Sequence, residues 1–358
     1  MKNLIIFIPS IEGGGVEKNL ILLSNYLSSK IENISVVTAN NDIKNLFSKK
    51  VKIICPKINF WNNKNRFIKT LVSILFLFKI KKKNSIIFSL QSNITAILIS
   101  KFFGCKILIR LNTSLEKYIN NLYRKFFFGI IYELADEIIV NSKNFQHELK
   151  KKLNLKSSVI YNPINPLKSS KKQLTFFKKF NGLKILSIGR LTDQKDHMTL
   201  LKSLNLLTKR NIKYRCCIIG RGHKKQELQN YINKNKMRKL IQLSGYIRNA
   251  ENYMHFSDLF VLSSKYEGLP NVLIEAQKNS LPIISSNCMT GPKEILLDGK
   301  LGHLFQVGNY NDLFNKIILF IKNKKILTQK SDLAKKFIYR FDHKFNCEKY
   351  ATVLMKFL

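Results

Sequence analysis

The sequence is short of acid. Asp and Glu number 22 against 62 Lys and Arg, a formal net charge of +40. The deficit is uneven: no Asp or Glu occurs between Ile43 and Leu115, a stretch that holds fifteen Lys and Arg. No apolar run reaches the ~18–20 residues that a helix needs to span a bilayer. The opening MKNLIIFIPS carries an apolar run too short for a signal-peptide core, and a glycine loop follows it where a cleavage site would stand. The six cysteines, at 55, 105, 216, 217, 288 and 347, form no Cys-x-x-Cys pair and no zinc spacing; they read as reduced thiols and point to the cytoplasm. The glycine loops match neither the Walker A pattern nor G-x-G-x-x-G. There is no Asp-x-Asp triplet and no His/Asp cluster, so no metal or other cofactor is expected. Internal repeats are absent.

Three sources can explain so basic a chain. They are nucleic-acid binding, attraction to an anionic membrane or phosphate-bearing substrate, and drift toward Lys, Asn and Ile. No nucleic-acid module or basic–aromatic repeat is present, so nucleic acid is not expected as a partner. Drift does not easily clear one region of acid, which keeps the membrane reading open. The run Phe67–Ile80 sharpens it: apolar on more than one face, it ends in Lys79, Lys81, Lys82 and Lys83. A helix lying on a membrane interface with a basic collar has this pattern. So does a buried helix with a solvated end.

What is there alternates short apolar runs with helical segments, the signature of parallel α/β sheets. The 358 residues suit two domains. We place the first at 1–165 and the second at 180–344, joined by a Lys-rich linker, 150–180, with X-Pro turns at Asn162-Pro163 and Asn165-Pro166. A final helix is expected at 345–358.

The chain is organised around residues 260–294. The run Leu259–Leu262 reads as a buried strand, followed by Ser263, Ser264, Glu267, Gly268 and Pro270. A helix from about Asn271 to Lys278 carries Glu275, and a second buried strand follows at 281–285. Two carboxylates eight residues apart on one helix would lie about 12 Å apart along its axis, beyond the roughly 5–9.5 Å of a hydrolytic pair, so they are expected to do different jobs. Taken alone, Glu267 is equally a helix cap and Glu275 a solvated surface residue. Elsewhere, SIEGGGVEK follows the first strand and opens a helix, where glycines and a helix N-terminus favour an anion. Gly189, Arg190 and Lys195 follow a strand beginning at Leu183, and Gly220-Arg221-Gly222 follows the next.

The segment S-x-x-E-G-L-P-N-V-L-I-E-A around Glu267 and Glu275 resembles the E-x7-E motif of GT-B-fold retaining glycosyltransferases, the group 1 or family 4 type. G-G-G-V-E-K at 13–18, I-G-R-L-T-D-Q-K-D at 188–196, I-I-G-R-G at 218–222 and G-P-K-E-I-L-L-D-G-K-L-G at 291–302 agree in the family's order. The resemblance implies two Rossmann-like, doubly wound parallel-sheet domains facing a cleft, a final helix at 345–358 that crosses back to the first domain, and transfer of a sugar with retention from a nucleotide-sugar donor. By the same resemblance, Arg190 and Lys195 hold the donor diphosphate without a metal, Glu267 contacts the donor sugar and Glu275 the ribose. Gly14, Gly15, Gly189, Gly220, Asn271 and Val272 line the donor, with Tyr246 near the base. Asn112 stands about where relatives carry a His; with Arg110 it is an acceptor-side candidate. The acceptor expected is a glycan or polyprenyl-linked glycan of surface polysaccharide or lipopolysaccharide synthesis, met by a cytoplasmic protein peripheral on the inner face of the membrane. The rival readings are a GT-B sugar-nucleotide epimerase, whose acid/base set is not evident, a basic nucleic-acid binder, and an inactive binding protein.

Overall fold

The structure, a computed structural model, describes residues 3–11, 13–80, 85–115, 119, 121–164 and 171–358. Lys81, Lys82, Lys83, Asn165 and Pro166, which figured in the expected basic collar and a linker turn, lie outside the described residues. The chain divides into two compact units: residues 1–165 with 341–358, and residues 166–340.

The first unit is built on β1 (Asn3–Phe7), β2 (Ile34–Val37), β3 (Val51–Ile54), β4 (Ser85–Ser89), β5 (Lys106–Leu111), β6 (Glu137–Val140) and β7 (Ser158–Val159). All pair in parallel, in the order β3-β2-β1-β4-β5-β6-β7. The central strands are buried on both faces, which is why β1, β4 and β6 read as largely apolar runs. Period-two alternation divides β1 between two cores: Leu4 and Ile6 enter one, Ile5 and Phe7 the other. The first core is closed by α1 (Gly15–Leu27) and by the last helix of the chain, which contributes Tyr350, Ala351 and Leu354. Glu348 of that last helix accepts from Tyr26 of α1 and pairs with Lys30, just past α1, at 2.5 Å. The second core lies under α2 (Arg66–Lys79), α3 (Asn93–Phe102), α4 (Leu122–Glu133) and α5 (Lys143–Leu153).

Part of the expected linker belongs to this unit. Residues 150–153 are the last turn of α5, held down by buried Phe145 and Leu149. Three lysines in that turn complement the negative end of the helix dipole, so a charge run that looks like a loop is a helix C-terminus. β7 then joins the sheet beside β6.

The second unit carries β8 (Leu183–Ile188), β9 (Tyr214–Ile219), β10 (Ile241–Leu243), β11 (Leu259–Leu262), β12 (Ile283–Ser286) and β13 (His303–Phe305). The order is β10-β9-β8-β11-β12-β13, again all parallel. α6 (His197–Lys209), α7 (Lys225–Lys234) and the later α10 (Tyr310–Lys322) pack on the face that holds Ile185 and Val261. α8 (Asn271–Lys278) packs with α9 (Pro292–Ile295), α11 (Lys324–Lys336) and β12. α12 (His343–Met355) is the helix that returns to the first unit. In each sheet the chain winds one way and then the other. The direction reverses between β1 and β4 in the first unit and between β8 and β11 in the second. Parallel strands put every strand-to-helix loop on one edge, and the reversal opens a crevice there.

Candidate active site

The second reversal gathers the residues singled out in the sequence. The loop after β8 supplies Gly189, Arg190 and Lys195; the loop after β11 supplies Glu267. Lys195 Nζ lies 2.5 Å from Glu267 Oε1. Both side chains are largely buried, and Ser264 donates to the same carboxylate oxygen at 2.6 Å. Backbone bonds fix the two loops to each other: Lys265 N–H donates to Gln194 O at 2.8 Å, and Ser263 Oγ to Lys195 O at 3.0 Å. Gln194 joins them a third time, donating to Tyr266 O at 3.1 Å while accepting from Arg190 Nη2 at 3.3 Å. Arg190 is exposed. A guanidinium open to solvent therefore stands beside a buried, hydrogen-bonded ion pair.

The loop after β12 braces this arrangement from behind. Thr290 Oγ1 donates to Glu267 O at 2.6 Å, and Ser286 Oγ to Ser264 O at 2.6 Å. Gly291 has φ +76°, and a Cβ there would stand 1.8 Å from Gly268 O. Only glycine fits, because the conformation and the space both exclude a side chain. Glu267 is not a helix cap: the N-cap position of α8 is Pro270, which makes no side-chain cap bond.

Gly220, after β9, closes the other side. Its N–H donates to Gly245 O at 2.8 Å, and a Cβ on it would fall 1.8 Å from Gly189 O. Arg221 stacks on half-exposed Tyr246, guanidinium carbon to ring centroid 5.3 Å. Asn271 and Val272 are the first two residues of α8, at the positive end of its dipole. Glu275 is half-buried further along α8 and acts electrostatically on Lys278.

Sequence reasoning missed His197. It is fully buried at the start of α6, where Lys195 is close enough to act on it. Burial, with Lys195 adding to it, lowers its pKa to about 4, while the backbone of Gly189 and Arg190 opposes the shift. The imidazole is thus neutral at pH 7. Ser264, Thr290 and Gln194 were also missed as site residues. Ser264 alone left a signal, standing three residues before Glu267.

At the reversal in the first unit, Gly14 is the N-cap of α1 and Gly15 its first residue. A Cβ on Gly14 would meet only the end of the Glu17 side chain, at 2.8 Å. Asn112 follows β5. Its amide nitrogen is spent on Leu90 O at 2.7 Å and Arg110 O at 3.4 Å, which leaves this acceptor-side candidate no free N–H to offer. Its oxygen is buried with no bond among the described residues. Arg110 departs further from expectation: it is 2% exposed. Its guanidinium donates to Asn162 and lies over the Tyr350 ring. Asn162 and the returning helix cover it, which makes it part of the core and not a surface that an acceptor reaches.

Two doubly wound parallel sheets, with a basic and acidic cluster at the reversal of the second, define a GT-B protein. Residues 170–340 match the family model of the glycosyl transferases group 1. The chain is 28% identical over 363 residues to an N-acetylgalactosamine-N,N'-diacetylbacillosaminyl-diphospho-undecaprenol 4-alpha-N-acetylgalactosaminyltransferase of Campylobacter jejuni, covering 96% of each. It is 34% identical over 224 residues to an uncharacterized glycosyltransferase of Methanocaldococcus jannaschii, a match spanning 57% of this chain and 55% of that one. Among solved structures it resembles HepE of Anabaena, crystallised with UDP and glucose, with a TM-score of 0.80, 18% identity and 99% of each chain covered; that likeness speaks to fold alone. The chain has the GT-B fold, and its residues 170–340 are similar to the glycosyl transferases group 1.

Proposed function

We propose that this enzyme moves a sugar, with retention of anomeric configuration, from a nucleotide-sugar donor bound at the second-unit reversal to a lipid-linked glycan in bacterial surface polysaccharide synthesis. The observation that carries this reading is the Lys195–Glu267 ion pair beside exposed Arg190. A departing nucleoside diphosphate develops negative charge. An Arg fork and a Lys point charge, held in place beforehand, stabilise that charge and need no metal to do so. Glu267, fixed by Lys195 and Ser264, is placed to accept from donor-sugar hydroxyls. Asn271 and Val272 present a helix N-terminus to phosphate or sugar oxygens. Glu275 would accept from the ribose, and Arg221 on Tyr246 offers a flat surface for the base. Gly14 and Gly15, at the start of α1, are further donor-binding candidates.

The acceptor class rests on the undecaprenol-linked substrate in the Campylobacter relative's name, and the UDP in the HepE complex makes UDP-sugars the first donors to try. With such an acceptor the enzyme would work at the cytoplasmic face of a membrane.

The test is nucleotide release from a panel of UDP-, GDP- and ADP-sugars in EDTA, comparing wild type with Glu267→Ala and Arg190→Ala. Turnover of one donor that survives EDTA and falls steeply in both variants is expected, and product NMR with the native acceptor would show retention. Failure of every sugar nucleotide to bind would overturn the site.

A further inference from the structure

We propose that the outer face of α2, α3 and α4 in the first unit seats on an anionic phospholipid surface. This extends the functional reading by naming the partner of a different face, and it needs no assumption about the donor site.

α2 exposes an apolar stripe in addition to its inner face, which places Leu77 in the second core. Its buried positions include Lys69, Thr70 and Ser73, and Thr70 is bonded to Ser92 at 3.0 Å. Its outward positions are Phe67, Leu71, Leu75 and Phe78, spaced four, four and three residues apart, and Phe67 is 71% exposed. Such spacing draws one stripe along a helix. α4 repeats the pattern: Tyr123 is 88% exposed and Phe126 73%, and Phe127 and Ile130 continue the stripe. Between them α3 exposes Leu98 and Phe102, the latter at 82%. The stripes are neighbours. Phe78 meets Phe103 edge-on at 4.9 Å, Phe103 meets Phe102 at 5.1 Å, and α3 packs on α4. An apolar surface spread over three adjacent helices exceeds the scattered apolar residues of an ordinary surface.

Charge decides what covers it. α2 and α3 lie wholly within the acid-free stretch. Arg66 and Lys79 mark the two ends of α2, and Lys64 sits 4.1 Å from the Phe60 ring just before it. Arg124 and Lys125 stand exposed among the α4 aromatics. The acid on α4 is Glu133, at its last residue; Asp136 beyond it is already held by Lys101 and Lys106, at 3.1 and 3.0 Å. A second copy would bring the same positive charge to the contact and be repelled. Phospholipid headgroups supply the missing negative charge while the acyl boundary receives Phe, Leu and Tyr, with Lys and Arg reaching back to the phosphates. No described helix is long and apolar enough to cross the membrane, so the mode is attachment to a surface.

The test is flotation of the full chain with vesicles of phosphatidylcholine alone or with about one-third phosphatidylglycerol, at low and high salt. Wild type is expected to bind the anionic vesicles about tenfold more tightly than the neutral ones, and to retain part of that binding in high salt. Phe67→Ser with Leu75→Ser, Tyr123→Ser with Phe126→Ser, and the single change Phe102→Ser remove exposed side chains. Each double variant should weaken binding about tenfold or more with an unchanged circular-dichroism spectrum and Tm. No binding to any vesicle overturns the proposal. So does binding that high salt abolishes and the variants leave intact, which would be diffuse adsorption by a basic protein. A concentration-dependent dimer that the variants disrupt, without vesicle binding, would make the face a copy interface and also overturn it. Soluble sugar-nucleotide binding, measured on the same variants, should not change; if it persists while vesicle binding fails, the membrane face alone falls.

Discussion

Lys195 and Glu267 meet at 2.5 Å although 72 residues separate them. The contact exists because β8 and β11 are hydrogen-bonded neighbours at the point where the sheet reverses. Removing one partner leaves the other charge desolvated. Lys195→Ala and Glu267→Ala should each lower the stability of the second unit by about 3 kcal/mol and cut turnover by about a hundredfold or more. The double variant Lys195→Met with Glu267→Leu strands neither charge. It should recover stability to within about 1 kcal/mol of wild type while staying inactive. Urea unfolding and turnover of the three variants separate the roles. Stability losses that simply add in the double variant would show that the two groups are not coupled.

Gly220 tests close approach against backbone conformation. A methyl at Gly220 would overlap Gly189 O, which immediately precedes Arg190. Gly220→Ala should therefore displace the Arg190 loop, costing about 3 kcal/mol and weakening donor binding. Gly245 has open space around its Cβ position but a φ of +69°, so Gly245→Ala should cost only about 1–2 kcal/mol. Calorimetry and nucleotide titration of both would decide it; equal losses would show that the Gly220–Gly189 contact has no special weight.

Much of this was legible in the sequence, for a physical reason. Strands buried on both faces are largely apolar, so β1, β8 and β11 announce themselves, and the loops that follow can be numbered. What a sequence does not show is which strand lies beside which. Arg190, Lys195 and Glu267 could be picked out singly, but their meeting depends on the order β8-β11, and the bracing by Ser286 and Thr290 depends on β12 lying next. Arg110 misled for the same reason: a charged residue at a strand end reads as a surface group until Asn162 and Tyr350 close over it from distant parts of the chain. The stripe on α2 was visible, but its direction was not. A helical period states that one face differs from the other, and only packing shows which face is outside.

His197 gives the second unit an acid-sensitive point. Its imidazole is buried neutral, with a pKa near 4 against an ordinary 6.5. The unfolded chain takes up this proton at a higher pH than the folded one, so stability rises with pH through the interval between the two values and is flat above it. From pH 6.5 down to 4 the loss attributable to this group approaches about 3 kcal/mol. His303, also lowered to about 4 by burial with help from Lys330 and Lys316, acts in the same direction. Urea unfolding across this range should show a steeper acid loss for wild type than for His197→Leu. Identical pH slopes would mean that the imidazole is already free to protonate in the fold.

Arg190 separates folding from chemistry. It is exposed and bonded through Gln194, so Arg190→Ala should change stability by no more than about 0.5 kcal/mol. If its fork stabilises charge on the leaving diphosphate, turnover should still fall by about 10²–10³-fold. Arg190→Lys keeps the charge but loses the planar pair of donors, and should recover only part of the activity. The division of the loss is informative. A fall in kcat at constant KM means that the guanidinium engages charge that develops in the transition state. A rise in KM at constant kcat means that it holds the ground-state phosphate equally well. Gln194→Ala should give a smaller loss of the same kind, because it frees the guanidinium without removing it. A loss in Gln194→Ala as large as in Arg190→Ala would place the essential contact on the glutamine, through its bond to Tyr266 O next to Glu267.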